Sequence, residues 1–165
     1  QPETFGVGLQ FRGDRWRIGG SLEQQNWSEL EEEFAVDTIN DQASVPPDSR
    51  IRFDDILIPR LGAEYQLTKN FALRGGVAYE ESPLSSTRNP EINYLDTDKI
   101  VVGLGISATY DRTRWLAYPV RMDLGYQYQQ LQERDFTLVD HDGNETPITA
   151  DGDIHVISGS VTLKF

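Results

Sequence analysis

Apolar and polar residues alternate with a period of two along most of this chain, the mark of strands with one greasy and one wet face. In the first such segment Phe5, Val7, Leu9 and Phe11 oppose Gly6, Gly8, Gln10 and Arg12. In the second, Trp16, Ile18, Gly20 and Leu22 oppose Arg17, Gly19, Ser21 and Glu23. The same pattern sets Leu57, Leu61, Ala63 and Tyr65 against Arg60, Glu64 and Gln66, and Leu73, Val77 and Tyr79 against Arg74, Gly76 and Glu80. It continues with Val102, Leu104 and Ile106 against Gly103, Gly105 and Ser107, with Met122, Leu124 and Tyr126 against Arg121, Asp123 and Gly125, and with Ile157, Val161 and Leu163 against Ser158, Ser160 and Thr162. These periods predict strands near residues 4–13, 15–28, 51–67, 71–80, 99–110, 115–130 and 154–165. No segment has a helical period; Trp27 to Phe34 comes nearest and reads equally as a strand end running into a loop.

The connections alternate in length. Gly13-Asp14, Thr68-Lys69-Asn70 and Asp111 to Arg114 are tight polar turns. Residues 35–49, 81–98 and roughly 131–153 are long, polar stretches, and residues 29–39 or 131–139 could supply extra pairing. Strands of about ten residues, with short turns on one rim and long loops on the other, match outer-membrane barrels. Phe11, Trp16, Tyr65, Phe71, Tyr110, Trp115 and Tyr118 crowd the short-turn rim, whereas Trp27, Tyr79, Tyr126 and Tyr128 lie nearer the other. Two aromatic bands around an aliphatic zone suit two membrane–water interfaces. A soluble lipocalin-like barrel or sandwich also alternates, but with its apolar face inward. The glycines and the charges of both signs on the polar face favour the membrane barrel, as does the terminal Leu163-Lys164-Phe165, which resembles the closing signal of outer-membrane proteins.

Composition narrows the functions. Twenty-seven acidic residues against fifteen Lys and Arg leave a formal charge of -12, which disfavours nucleic acid as a partner. The absence of cysteine excludes disulfides, thiolate metal sites and cysteine nucleophiles. No run approaches the roughly 20 apolar residues of a membrane helix, and Gln1 opens a polar stretch rather than a leader. A mean hydropathy of -0.51 alone reads as a soluble acidic protein, but half-apolar membrane strands give the same value.

Seven strands is an odd count for a closed single-chain bacterial barrel, so either a strand is hidden or the chain belongs to a longer barrel. The ordered motifs point to the longer barrel. Asn26-Trp27-Ser28-Glu29-Leu30, Pro59-Arg60-Leu61-Gly62-Ala63-Glu64-Tyr65 and Asn70-Phe71-Ala72-Leu73-Arg74-Gly75-Gly76-Val77-Ala78-Tyr79 are followed by Glu81-Ser82-Pro83 and Leu95-Asp96-Thr97-Asp98-Lys99. This series resembles the C-terminal half of the FadL/TodX family, outer-membrane transporters of long-chain fatty acids and aromatic hydrocarbons. The resemblance implies an all-β antiparallel transmembrane barrel, with this chain as about seven of fourteen strands. It also implies a lumenal plug and a lateral opening in the other half, and passive uptake without a covalent step or cofactor. The expected partners are membrane lipid and lipopolysaccharide, a hydrophobic ligand, and the N-terminal half or a second chain to close the sheet. The alternative is a self-standing eight-stranded barrel with a structural or adhesion role.

Fatty-acid transporters of this family hold the carboxylate with lumenal basic residues, one of them just before the strand that resembles Ile56 to Leu67. The nearest basic residues here are Arg52 and Arg60, next to Asp54 and Asp55. Arg52, Arg60, Arg74 and Arg121 are therefore the candidate lumenal ligand residues. Asp54, Glu64, Glu80 and Asp123 on the same faces offer each arginine a structural ion pair instead. Asp140, Asp142, Asn144 and Asp151 match part of a calcium loop but lack its glycine, so an acidic hairpin is the plainer reading and no metal is expected. Glu29, Glu31, Glu32, Glu33 and Asp37 make an acidic loop that would face lipopolysaccharide. His141 and His155, the only histidines, have no serine and acid at a hydrolase's spacing, so no enzyme is expected.

Overall fold

The computed structural model describes residues 2–29, 52–89, 95–110, 118–139 and 143–163. Among these residues lie strands β1 (Glu3–Arg12), β2 (Trp16–Asn26), β3 (Ile56–Gln66), β4 (Phe71–Glu80), β5 (Arg88–Asn89), β6 (Lys99–Tyr110), β7 (Val120–Val139) and β8 (Glu145–Leu163). The seven long strands form one antiparallel sheet in the order β1-β2-β3-β4-β6-β7-β8; β5 adds two parallel residues to β7. Each long strand pairs with the next long strand in the chain, as a period-two pattern broken by turns dictates.

Register carries the alternation across the whole sheet. Gln10, Gly19, Gly62, Gly76, Gly103, Gln127 and Val156 stand side by side in one polar-face row. The adjacent row on the other face is Leu9, Gly20, Leu61, Val77, Val102, Tyr128 and His155. The two faces differ in exposure. Along β6, Ile100, Val102, Leu104 and Ile106 are exposed, whereas Val101, Gly103, Gly105 and Ser107 are partly or fully covered. Leu104 is 63% exposed and Ser107 5%. A flat sheet would expose both faces alike; curling toward the polar face crowds those side chains together, as a barrel wall does. The greasy face therefore looks outward, which rules out the soluble, apolar-inward arrangement. Such a surface is stable only against lipid.

β1 and β8 are each paired on one side only, and among the described residues they do not pair with each other. Among the described residues the sheet is thus open and does not close into an eight-stranded self-standing barrel.

The tight turns arise as their residues require. The Gly13 amide donates to the Trp16 carbonyl at 2.9 Å, and the Trp16 indole lies so close that a Cβ on residue 13 would stand 2.4 Å from its Nε1. At the next turn the Thr68 hydroxyl accepts from the Asn70 and Phe71 amides at 3.2 and 3.1 Å. Trp16 and Tyr65 are direct cross-strand neighbours, and Phe71 meets Tyr110 edge to face, so the short-turn rim is banded with aromatic rings. The turn at 111–114, Trp115 and Lys164-Phe165 lie outside the described residues.

Two departures from the sequence pattern concern the opposite rim. β3 begins at Ile56 rather than 51, and Phe53 bridges Leu84 instead of joining the ladder. More consequentially, β7 and β8 continue well past residue 130 and start well before residue 154: Arg134 to Val139 pair with Ala150 to Glu145. A bulge between Leu131 and Arg134 adds one residue to β7, so alternation slips by one and Arg134 and Phe136 turn onto the inner face. There Phe136, Leu84, Ile56 and Ile58 are all buried, a small core at the long-loop end. Residues 81–89 fold across this end. Ser85 donates to the Arg52 carbonyl, Thr137 donates to the Thr87 carbonyl, and Arg134 donates to the Leu84 carbonyl at 2.5 Å.

Candidate lumenal site

The inner face is organised as charged rungs above and below a glycine-rich band. In that band Gly19, Gly62, Gly76, Gly103, Ala78 and Val101 floor an open groove of about 530 Å³, with Arg60 at its upper edge. Glycines leave backbone exposed and space unfilled, so a long molecule can lie close to the wall. Ile154 and Val156 of β8 face the same side, opposite Gln129 and Gln127, and make the last strand's inner face partly apolar, a feature the sequence reading did not single out.

At the upper edge of the groove, Arg60 donates to Glu23 on the neighbouring strand at 2.6 Å, one rung from its direct partner Ser21. Higher still, Lys99 lies 3.0 Å from Asp96 and 3.8 Å from Glu80. Below the groove runs a chain of alternating charge. Arg121 donates to Asp123 at 2.9, 3.0 and 3.1 Å. The same carboxylate accepts from the hydroxyls of Ser107 and Ser160 and from Arg74 at 3.3 Å. Arg74 lies on β4 and Asp123 on β7, so this contact crosses over β6. It passes beside Gly105, which stands directly opposite Arg74 and carries no side chain. Arg74 donates in turn to Glu64 at 2.6 Å, and Glu64 ends the series at Arg17, 3.8 Å away.

The structure therefore divides the four candidate arginines. Arg74 and Arg121 share Asp123, Arg60 is two rungs away with its own carboxylate, and Arg52 is exposed beyond the start of β3. Three of the four are neutralised by carboxylates, and the four do not converge on one point. Asp54 makes no ion pair among the described residues, and its amide donates to the Pro83 carbonyl. The neighbouring Asp55 accepts from the Ser28 hydroxyl at 2.7 Å and the Ser28 amide at 3.0 Å, which holds its carboxyl below its ordinary range. Arg12, Arg17, Ser107 and Arg134 were missed as functional candidates; the first two could have been paired from their places on either side of the Gly13 turn.

The remaining candidates are quickly placed. Glu29 is exposed, while Glu31, Glu32, Glu33 and Asp37 lie outside the described residues. So do Asp140, His141 and Asp142; Asp151 lies within β8, and among the described residues no cluster suited to a metal occurs. His155 is on the outer face, its Nδ1 2.7 Å from the Tyr126 hydroxyl and its ring near Tyr128.

An antiparallel wall with an apolar outer surface and a charged, glycine-rich inner surface defines an outer-membrane β-barrel protein. Comparison with known proteins agrees. The family model for outer membrane protein transport proteins (OMPP1/FadL/TodX) matches residues 2–165, and the chain belongs to that family. It is 79% identical over all 165 residues to alkane uptake protein A of Marinobacter nauticus, covering 36% of that protein. It is 26% identical over 132 residues to the long-chain fatty acid transport protein of Escherichia coli, covering 79% of this chain and 27% of that protein. The crystal structure of a Pseudomonas aeruginosa FadL homologue superposes with a TM-score of 0.67 at 20% identity, over 97% of this chain and 34% of the other. The chain thus spans roughly a third of the relatives it matches. It is located in the outer membrane, and the relatives it matches are named as uptake and transport proteins.

Proposed function

We propose that this chain is part of the wall of an uptake channel for hydrophobic small molecules, with long-chain alkanes as the principal substrate class. The observation that carries this reading is the 79% identity, over every residue of the chain, with a protein named for alkane uptake. The inner face supports it physically. Arg60, Arg74 and Arg121 are each held by a carboxylate, so at these positions the lumen offers a carboxylated ligand little uncompensated positive charge. Between the charged rungs the glycine-floored band can receive an alkyl chain, which gains about 25 cal/mol for each Å² of apolar surface removed from water. Closure of the lumen requires a further wall segment on the free edges of β1 and β8, because unpaired strand backbone is not tolerated in lipid. Lipid surrounds the outer face.

The test is uptake by cells that produce the complete barrel and lack other transporters of this family. Radiolabelled hexadecane is expected to enter faster than in cells without the barrel, and Arg60→Gln is expected to leave that rate within about twofold. Entry of palmitate but not hexadecane, abolished by Arg60→Gln, would overturn the alkane assignment.

A further inference from the structure

The chain of alternating charge on the inner face ends in a conflict. From Arg121 through Asp123, Arg74 and Glu64 to Arg17 the sign changes at every step. The next residue in the row is Arg12, which stands directly opposite Arg17 across the β1–β2 ladder. Directly opposed residues have Cβ atoms about 5 Å apart on the same face, and like charges so placed destabilise the pair. Arg17 has only the distant end of Glu64, 3.8 Å away and already held at 2.6 Å by Arg74. Arg12 is exposed and makes no ion pair among the described residues. Asp14, in the turn between the two strands, forms none with either of them. Across this belt four arginines face two carboxylates, and the surplus is gathered at the free edge of β1.

We propose that Arg12 and Arg17 form a carboxylate-binding site on the inner face at the short-turn rim, at the end of the ladder. Two guanidinium forks side by side match the planar, two-oxygen geometry of a carboxylate and hold it more firmly than single-point cations. The carboxylate has two possible sources: the segment that pairs with the free edge of β1, or the head of an amphiphile within the lumen. The inference does not depend on which hydrophobic compound the channel carries.

The experiment uses the complete barrel in detergent, with Arg12→Gln and Arg12→Lys variants, and follows both heat unfolding and the binding of decanoate and decanol. The sign of the Arg12→Gln effect decides. If a carboxylate of the barrel occupies the site, Arg12→Gln lowers the unfolding temperature by a few degrees, Arg12→Lys restores much of it, and about 0.5 M salt narrows the difference. If a ligand supplies the carboxylate, Arg12→Gln weakens decanoate binding about tenfold while decanol binding is unchanged. Either result supports the site. A salt-sensitive rise in unfolding temperature for Arg12→Gln, with decanoate binding unaltered, means that the two arginines merely repel; that result, or no change in any readout, overturns the proposal.

Discussion

Replacing Asp123 with asparagine is the most informative perturbation of the inner face. The carboxylate receives Arg121 through three contacts of 2.9 to 3.1 Å, Arg74 at 3.3 Å, and the hydroxyls of Ser107 and Ser160. The arginine side chains are about two-fifths exposed, so solvent screens both pairs and each contributes about 0.5–1 kcal/mol. The bond from the covered Ser107 adds about 1 kcal/mol. Asparagine keeps one acceptor oxygen and the shape, so the expected loss is about 1.5–2 kcal/mol. The assay is urea unfolding of the complete barrel in lipid vesicles, run as a double-mutant cycle with Arg121→Gln. In the Arg121→Gln background Asp123→Asn is expected to cost about 0.5–1 kcal/mol less, because the pair is already broken. A coupling below about 0.3 kcal/mol, or a single-variant loss that does not shrink in high salt, would refute the reasoning that these charges act as one network.

Three further outcomes are expected. Leu104→Arg, at an outward position near the middle of β6, is expected to destabilise the barrel in vesicles by about 2–4 kcal/mol, whereas Gly103→Ser on the inner face costs under about 1 kcal/mol; urea titration compares them. Arg134→Ala removes the donor that holds residues 81–89 at the Leu84 carbonyl and is expected to speed limited proteolysis of that stretch severalfold, with the barrel otherwise intact. The Ser28–Asp55 contact is expected to depend on pH. Its carboxyl is depressed by the Ser28 hydroxyl and amide, so the contact contributes at pH values above about 4 and is lost as pH falls through the lowered value. The protection factor of the Ser28 amide, which divides out the intrinsic pH dependence of exchange, reads this directly, and Asp55→Asn is expected to make that protection insensitive to pH in that range.

How much of this was legible in the sequence depends on where the membrane rule applies. From Leu57 to Tyr65 or Val102 to Ile106, lipid selects apolar residues on one face and the strand order follows from the turns, so the alternation could be read directly. It failed at Gln132 to Val139 because the bulge shifts the period and because the selection reverses there. At this end of β7 the inner Phe136 is buried, while Asp135 and Thr137 stand on the outward face. The arginine partners were only partly legible. That charges on the polar face would pair was expected; that Arg74 would cross β6 to Asp123, 49 residues later, depends on the register of three strands, which no local pattern contains. Arg12 and Arg17 flank a tight turn, so their opposition followed from hairpin pairing, but the lack of a carboxylate beside Arg12 among the described residues did not.

The account rests on the outer face meeting lipid, and site-directed spin labelling tests that most directly. Nitroxides at residues 104 and 124 are compared with labels at 103 and 127, in the complete barrel in vesicles, for collision with oxygen and with a water-soluble nickel chelate. The expected result is strong oxygen and weak nickel access at 104 and 124, and the converse at 103 and 127. Nickel access at 104 and 124, with oxygen-rich surroundings at 103 and 127, would contradict it.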